Sequence, residues 1–132
     1  MQIKKLLLMV FILHLPVTVA VAEESLYSGE VVVASQGAED RSEALPDALI
    51  QVLQKLSGRR EVPFSPQLDE ALGNAENLLL SFRYRDVERS GPDGTITKEL
   101  HLVAQFLPTA VDQVVQQTGL PRWRQERPAV QI

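Results

Sequence analysis

The side chains best suited to chemistry in this sequence lie between residues 86 and 93. Four of them match the first half of a calcium-binding loop, with oxygen atoms at alternate positions and glycine at the sharp turn: Asp86, Glu88, Ser90 and Gly91. The match then fails, because Thr97 occupies the position of the bidentate glutamate and Pro92 replaces a flexible carbonyl donor. We therefore favour a hairpin turn with solvated acids and predict no metal site. Asp86, Glu88 and Asp93 are the candidate ligands for a divalent cation.

Catalytic chemistry has little support in the sequence. Beyond the first 22 residues the one histidine is His101, which the pattern places on the polar face of a strand, facing solvent. No Gly-x-Ser-x-Gly nucleophile elbow, phosphate-binding glycine–lysine loop or His-Glu-x-x-His zinc helix is present. The chain has no cysteine, which excludes disulfides, thiol catalysis and thiolate metal sites. The sequence predicts a protein that is not an enzyme and uses no cofactor.

Arginine and tryptophan are the residues that point to binding. Arg122 and Arg124 flank Trp123, and further arginine pairs occur at 59–60 and at 83 and 85. These residue types are enriched where protein surfaces carry binding energy. In the alternative interpretation, Trp123 packs as a lid on the core and the arginines pair with nearby acids, and residue type alone favours it. Trp123, Arg122, Arg124 and Ile132 remain the candidate interaction residues.

The elements that would position these residues begin with a strand and a long helix. Residues 26–34 alternate apolar and polar side chains, as a half-buried strand does. The following segment has one apolar stripe at helical spacing: Leu45, Ala48, Leu49, Val52, Leu53 and Leu56. A capping box of Asp40 and Glu43 is predicted to begin this helix, and Gly58 to end it. Pro46 fits if the regular helix begins near Glu43 or if the helix kinks at the proline.

The rest of the chain predicts two more helices and a hairpin. In order, these are a helix from Ser65-Pro66 with a break near Gly73-Asn74, a strand over 83–89, a type I turn at 91–94, a strand over 96–106, and a helix from Pro108 to Gly119. The predicted fold class is α+β. It has a small antiparallel or mixed sheet of three to four strands, with about three helices packed on one face.

The first 22 residues have the features of a cleaved secretory signal peptide. Lys4 and Lys5 precede an apolar run over residues 6–13, and residues 20–22, Ala-Val-Ala, supply the small-x-small cleavage site. A membrane anchor is the alternative, but residues 6–22 are shorter than the ~20 apolar residues that span a bilayer. We therefore expect a signal peptide over 1–22, a single α+β domain over 23–132, and a periplasmic location. Cleavage removes two lysines and no acid from a chain of net charge −4, which argues against nucleic acid and anionic lipid as general partners.

Short motifs in a fixed order run through nearly all of the mature chain. They are Tyr27-Ser28-Gly29-Glu30-Val31, Ala48-Leu49-Ile50-Gln51-Val52-Leu53, Ser57-Gly58, Asn74-Ala75-Glu76, Phe82-Arg83-Tyr84-Arg85, Gln105-Phe106, and Gly119-Leu120-Pro121-x-Trp123 leading into Arg127-Pro128-Ala129-Val130. Their order resembles a family of Gram-negative envelope proteins known only as domain of unknown function number two-thousand-and-sixty-six. The resemblance implies a secreted protein with no established activity, ligand or catalytic residue.

The resemblance also bears on the C-terminal end of the chain. Members of that family commonly continue past the tryptophan and Arg-Pro-Ala motif, which implies that the chain is the N-terminal part of a longer protein. In the alternative, residues 127–132 are a last strand that ends the domain.

Two functions follow as hypotheses. The first is a secreted, non-catalytic protein-interaction or structural module of the cell envelope, with no membrane span after signal cleavage. It would bind an envelope protein, or its own missing C-terminal region, through the sheet edge near Ile132 and the Trp123 region. The alternative is a periplasmic domain that binds a small ligand or a divalent cation.

Overall fold

The computed structural model describes residues 26–123, which form a three-stranded sheet and three helices. In chain order the elements are β1 (Ser28–Val33), α1 (Ala38–Ser57), α2 (Pro66–Gly73), a 3₁₀ turn (Ala75–Leu78), β2 (Leu79–Ser90), β3 (Ile96–Phe106) and α3 (Pro108–Thr118). The α+β class, the order of elements and the antiparallel sheet predicted from the sequence are confirmed. None of the helices within 26–123 is long and apolar enough to cross a bilayer.

The long helix α1 differs from its prediction at the N-terminus. It begins at Ala38 after Gly37, and the predicted capping box of Asp40 and Glu43 is wrong because no side chain caps this end. The carboxylate of Asp40 instead accepts a hydrogen bond of 2.5 Å from the Ser35 hydroxyl, which lies before the helix. As an acid in the first turn, Asp40 still interacts favourably with the helix dipole.

Pro46 lies inside α1, well beyond its first turn. The alternative in which the regular helix begins near Glu43 is therefore wrong. A proline here removes one backbone donor from the helix. The residues around it, Leu45, Ala48 and Leu49, are almost completely buried, and their packing holds the helix against the sheet across this position.

The predicted start of α2, the turn and the end of α3 are confirmed, whereas β2 begins at Leu79, ahead of the strand predicted over 83–89. The hydroxyl of Ser65 accepts a hydrogen bond from the Leu68 N–H and caps α2. The turn between β2 and β3 has a Gly94 N–H to Gly91 C=O bond of 3.0 Å, as a type I turn requires. Gly119 ends α3 in the left-handed conformation, at φ 67°.

The sheet has the order β1-β3-β2, with β3 in the centre and antiparallel to both neighbours. On β3 the even-numbered residues Leu102, Ala104 and Phe106 are fully buried and meet the helices. The odd-numbered residues form the other face, which we term the open face. The core therefore lies on one side of the sheet, and the open face lies on the other.

A close backbone approach joins α1 to β1. Gly29 faces the helix, and a Cβ atom built on it would lie 2.2 Å from the carbonyl oxygen of Ala48. Ala48 is itself fully buried. Since ordinary carbon contacts are ~3.5–4.0 Å, only a residue without a side chain fits at this strand position. This glycine–alanine contact fixes how closely α1 packs on the sheet.

Candidate functional site

The β1 edge of the sheet is covered by side chains of α1. The Gln51 amide donates to the Glu30 carbonyl at 2.8 Å, and its oxygen accepts from the Glu30 N–H at 2.9 Å. The Lys55 ammonium donates to the carbonyl of Ser28 on the same edge. The outward backbone groups of Glu30 and the Ser28 carbonyl are therefore satisfied within the chain. Another strand could pair here only by displacing both side chains of α1.

The β2 edge is open in the described part of the chain. The Gly91 N–H donates to the Thr95 carbonyl at 2.7 Å, and from this bond the odd-numbered residues of β2 form the ladder bonds to β3. Five even-numbered residues therefore turn their N–H and C=O groups outward: Phe82, Tyr84, Asp86, Glu88 and Ser90. No hydrogen bond within 26–123 reaches these outward groups. Along most of its 12 residues, β2 presents a strand edge ready for pairing.

Apolar and aromatic side chains lie beside this open edge. Leu80 sits at a β-bulge and is 53% exposed, and Phe82 is 44% exposed. The Arg41 guanidinium of α1 lies 4.4 Å from the centre of the Phe82 ring and donates to the Tyr84 hydroxyl at 3.4 Å. This contact fixes the inner face of β2 against α1. The edge itself is therefore both rigid and partly apolar.

A chain of charged groups crosses the open face of the sheet. His101 on β3 lies between two carboxylates, with Nδ1 at 2.8 Å from Glu30 of β1 and Nε2 at 3.2 Å from Glu99. On β2, Arg85 donates to the same Glu30 oxygen at 2.6 Å and Arg89 donates to Glu99 at 2.8 Å. These five side chains link all three strands, and we term them the open-face network.

The open-face network corrects the prediction that His101 faces solvent. His101 lies on the polar face as predicted, but it is only 8% exposed because Glu30, Glu99 and the two arginines surround it. Both ring nitrogens are directed at carboxylate oxygens, so neither is free to take a proton from a nucleophile. This arrangement suits a structural cross-strand tie rather than a general base.

The carboxylates of the network have lowered pKa values. Burial raises the pKa of Glu30, but hydrogen bonds from Arg85 and His101 outweigh it and hold the pKa below the ordinary 4.5. The hydrogen bond from His101 and the charge of Arg89 lower the pKa of Glu99. Both carboxylates are therefore ionised at neutral pH and neutralise the arginines beside them.

The three acids considered for a cation do not converge. Asp86 and Glu88 lie on β2 opposite Leu100 and Lys98, on the sheet face that the helices cover. Asp93 lies in the turn, where hydrogen bonds from the Thr95 hydroxyl and N–H lower its pKa. Within residues 26–123, no group of three or more His, Asp or Glu side chains could hold a metal ion.

Trp123 is placed by the end of α1. Its backbone N–H donates to the Leu56 carbonyl at 2.7 Å, which satisfies one of the terminal acceptors of α1. Its ring lies over Gly58, where a Cβ atom would come within 2.9 Å of Cε3. The side chain nevertheless remains 66% exposed. Trp123 is thus anchored at the surface and does not act as a lid over the core.

Arg122 is used inside the fold. Its guanidinium donates to the Tyr27 hydroxyl at 3.2 Å and lies 3.6 Å from Asp112. The Tyr27 hydroxyl in turn donates to Asp112 at 2.9 Å. Burial and the neighbouring Asp112 raise the pKa of Tyr27. These contacts tie the segment after α3 to the start of β1, while the Arg122 side chain stays 59% exposed beside Trp123.

An open groove of about 710 Å³ lies beside the tryptophan, and we term it the Trp123 groove. The described residues that line it are Gln51, Gln54, Lys55, Gly58, Arg59, Arg60 and Trp123. Three of these are cationic and none is acidic. Burial lowers the pKa of Lys55. Since the β1 edge is covered by Gln51 and Lys55, the groove and the open β2 edge lie on opposite sides of the sheet.

Some of these functional residues could be found from the sequence and others could not. Trp123, Arg59 and Arg60 were indicated by residue type, and the structure brings them together. Gln51 and Lys55 were missed, because nothing in a helical stripe shows that two of its polar residues cover a strand edge. Arg124 and Ile132, together with the predicted signal peptide, lie outside the described residues.

Comparisons with known proteins place the chain in a family but attach no activity to it. A family model described as a domain of unknown function (DUF8605) matches residues 20–124. This finding corrects the resemblance to domain of unknown function number two-thousand-and-sixty-six, whose short motifs are individually too weak to separate one family from another. No curated protein and no solved structure matches the chain.

Proposed function

This chain belongs to the DUF8605 family, and we propose that it is a non-catalytic protein-binding module of the cell envelope. The proposed binding mode is strand addition, in which an extended segment of a partner pairs with the outer edge of β2. Main-chain hydrogen bonds would supply affinity, and side-chain contacts along the edge would supply specificity.

The difference between the two sheet edges carries this proposal. On the β1 edge, Gln51 and Lys55 bond the outward groups of Glu30 and the Ser28 carbonyl, whereas the β2 edge leaves five outward N–H and C=O pairs without partners inside the described chain. Proteins commonly protect both edges of a sheet, since an unprotected edge invites pairing. A long edge left open next to exposed Leu80 and Phe82 is therefore best explained by a partner.

The charges along β2 indicate the chemistry of the partner strand. On the open face, the β2 row contains Arg83, Arg85 and Arg89, of which the Arg83 side chain has no hydrogen bond or ion pair within 26–123. A strand paired with β2 would place its own side chains directly beside this row. Since opposite charges on neighbouring strands attract, an acidic side chain at alternate positions fits best.

A second copy of the chain fits this edge poorly. If two copies of β2 paired about a two-fold axis, the open face of one copy would continue into the open face of the other. The two rows of arginines would then lie side by side. In the registers whose two-fold axis lies between Arg83 and Val87, an arginine of one copy faces an arginine of the other. Like charges in directly opposite positions are destabilising, which favours an acidic strand from another protein.

The location in the envelope rests on the N-terminal residues. Lys4, Lys5, the apolar run over 6–13 and the Ala-Val-Ala site at 20–22 support export to the periplasm. Processing of the purified secreted protein would test this directly. N-terminal sequencing of protein from a periplasmic fraction should begin near Glu23, and an intact N-terminus would contradict the proposal.

Binding of designed peptides tests strand addition. The probe is an eight-residue peptide that alternates glutamate with valine, and the matched control carries N-methyl groups on the amides that would face β2. The first should bind and the second should not, because the control retains composition and charge but cannot form the ladder. Equal binding of both peptides would exclude strand addition.

A charge variant tests the assigned edge. Arg83→Glu should weaken binding of the acidic peptide by roughly fivefold, which corresponds to about 1 kcal/mol for one cross-strand pair. Arg59→Glu makes the same charge change on the opposite side of the sheet and should leave this binding unchanged. If both variants weakened binding equally, general electrostatic attraction rather than the β2 edge would be responsible.

A further inference from the structure

We propose that the Trp123 groove is a second binding site, independent of strand addition, for a small planar aromatic anion. The groove lies beside the β1 edge, away from the β2 edge. Its volume of about 710 Å³ is within the range of small-ligand sites, which is ~300–1,000 Å³.

The tryptophan supplies a fixed stacking surface. Trp123 is held by the hydrogen bond from its backbone N–H to the Leu56 carbonyl and by the contact of its ring with Gly58, while 66% of its surface stays exposed. An anchored indole loses little freedom when a ligand stacks on it, which lowers the cost of binding. In other proteins, nucleic-acid bases stack on aromatic side chains in this way.

The charges of the groove select an anion. Among residues 26–123, Lys55, Arg59 and Arg60 contribute to the lining and no acidic side chain does. Neither Arg59 nor Arg60 has a hydrogen bond from its guanidinium or an ion pair within residues 26–123, so their donors are available to a ligand. Burial lowers the pKa of Lys55, and a bound anion would compensate for that burial. Arginine binds carboxylate and phosphate through two parallel hydrogen bonds.

The amides in the lining favour a ligand recognised through its charge and its ring. Gln51 is engaged with the backbone of Glu30, and Gln54 donates to the carbonyl of Arg60 at 2.5 Å. Their use inside the fold leaves Arg59, Arg60 and the indole as the main recognition groups. A planar ring bearing a carboxylate or a phosphate meets both requirements.

The experiment uses Trp123 as its own reporter, because it is the one tryptophan in the chain. The indole N–H therefore gives a single resonance in a ¹H–¹⁵N spectrum of the purified protein. The probes are 2-naphthoate and 2-naphthyl phosphate, with uncharged 2-naphthamide as the matched control. Both anions should shift the indole resonance and bind at least about tenfold more tightly than the amide. Equal affinity for anion and amide, or no shift with any probe, would overturn the proposal.

Two variants locate the site. The double change Arg59→Gln and Arg60→Gln should weaken naphthoate binding about tenfold and leave naphthamide binding unchanged, since it removes charge and keeps the ring contact. Arg83→Gln removes a cation on the other side of the sheet and should have no effect. An equal loss from Arg83→Gln would overturn the site. Peptide binding at β2 should be unaffected by the double variant, so the two proposals can fail separately.

Discussion

Replacing Gly29 by alanine tests the backbone approach between β1 and α1. The added Cβ would lie 2.2 Å from the oxygen and 2.7 Å from the Cα of Ala48, so α1 must move away from the sheet by more than 1 Å. Overpacking a core costs about 1–3 kcal/mol, and here the obstacle is backbone, which places the cost near the upper limit. Alanine recovers about 0.5–1 kcal/mol of chain entropy. We expect a net loss of about 2–3 kcal/mol.

Urea denaturation and thermal melting followed by circular dichroism would measure this loss. For a domain of this size, it corresponds to a decrease in Tm of roughly 8–24 °C. Gly73→Ala is the matched control, since no atom lies within 4 Å of its added Cβ, and it should be neutral or stabilise by up to about 1 kcal/mol. If Gly29→Ala lost less than about 0.5 kcal/mol, the close packing of α1 on β1 would be refuted.

Three further predictions concern hydrogen bonds and charge. The pKa values of Glu30 and Glu99 are lowered by folding, so their stabilisation is complete above their ordinary pKa of 4.5 and is lost as the pH falls through the lowered folded values. The urea midpoint should therefore decrease in acid, and Glu30→Gln with Glu99→Gln should flatten this dependence; an unchanged slope would contradict it. Tyr27→Phe removes the hydroxyl bonded to Asp112 and should cost about 1 kcal/mol in urea denaturation, whereas an unchanged midpoint would show no net contribution. Gln51→Ala uncovers the Glu30 amide, whose hydrogen exchange should accelerate roughly tenfold, and wild-type exchange would show that the β1 edge is protected by other means.

Local periodicity accounts for what could be predicted of the fold. The apolar stripe of α1 and the alternation over 96–106 are properties of single segments, and each gave an element of the right type and face. The capping box failed because a valid local signal at Asp40 competed with an earlier start at Gly37. Pro46 was ambiguous because its cost is local, whereas the burial that offsets it comes from the sheet.

The candidate sites depend on contacts between residues that are distant in the sequence, and the pattern within one segment does not show such contacts. Alternation placed His101 on the polar face, but its burial comes from Glu30, a residue 71 positions away on β1. The order β1-β3-β2 decides which strands have free edges, and two polar residues of α1 decide which of those edges is covered. Trp123 could be singled out by residue type, but the position of its ring at the surface depends on the contact with Gly58.

The unequal edges also set a limit on how this protein can assemble. Growth of a sheet into a fibre needs two open edges on every molecule, because each subunit must accept a neighbour on both sides. Here Gln51 and Lys55 occupy the outward groups of Glu30 and Ser28 in the first part of β1, so a strand bound at β2 leaves no comparable edge for the next molecule. In solution, edge pairing should therefore saturate at one partner strand per molecule and not proceed to filaments.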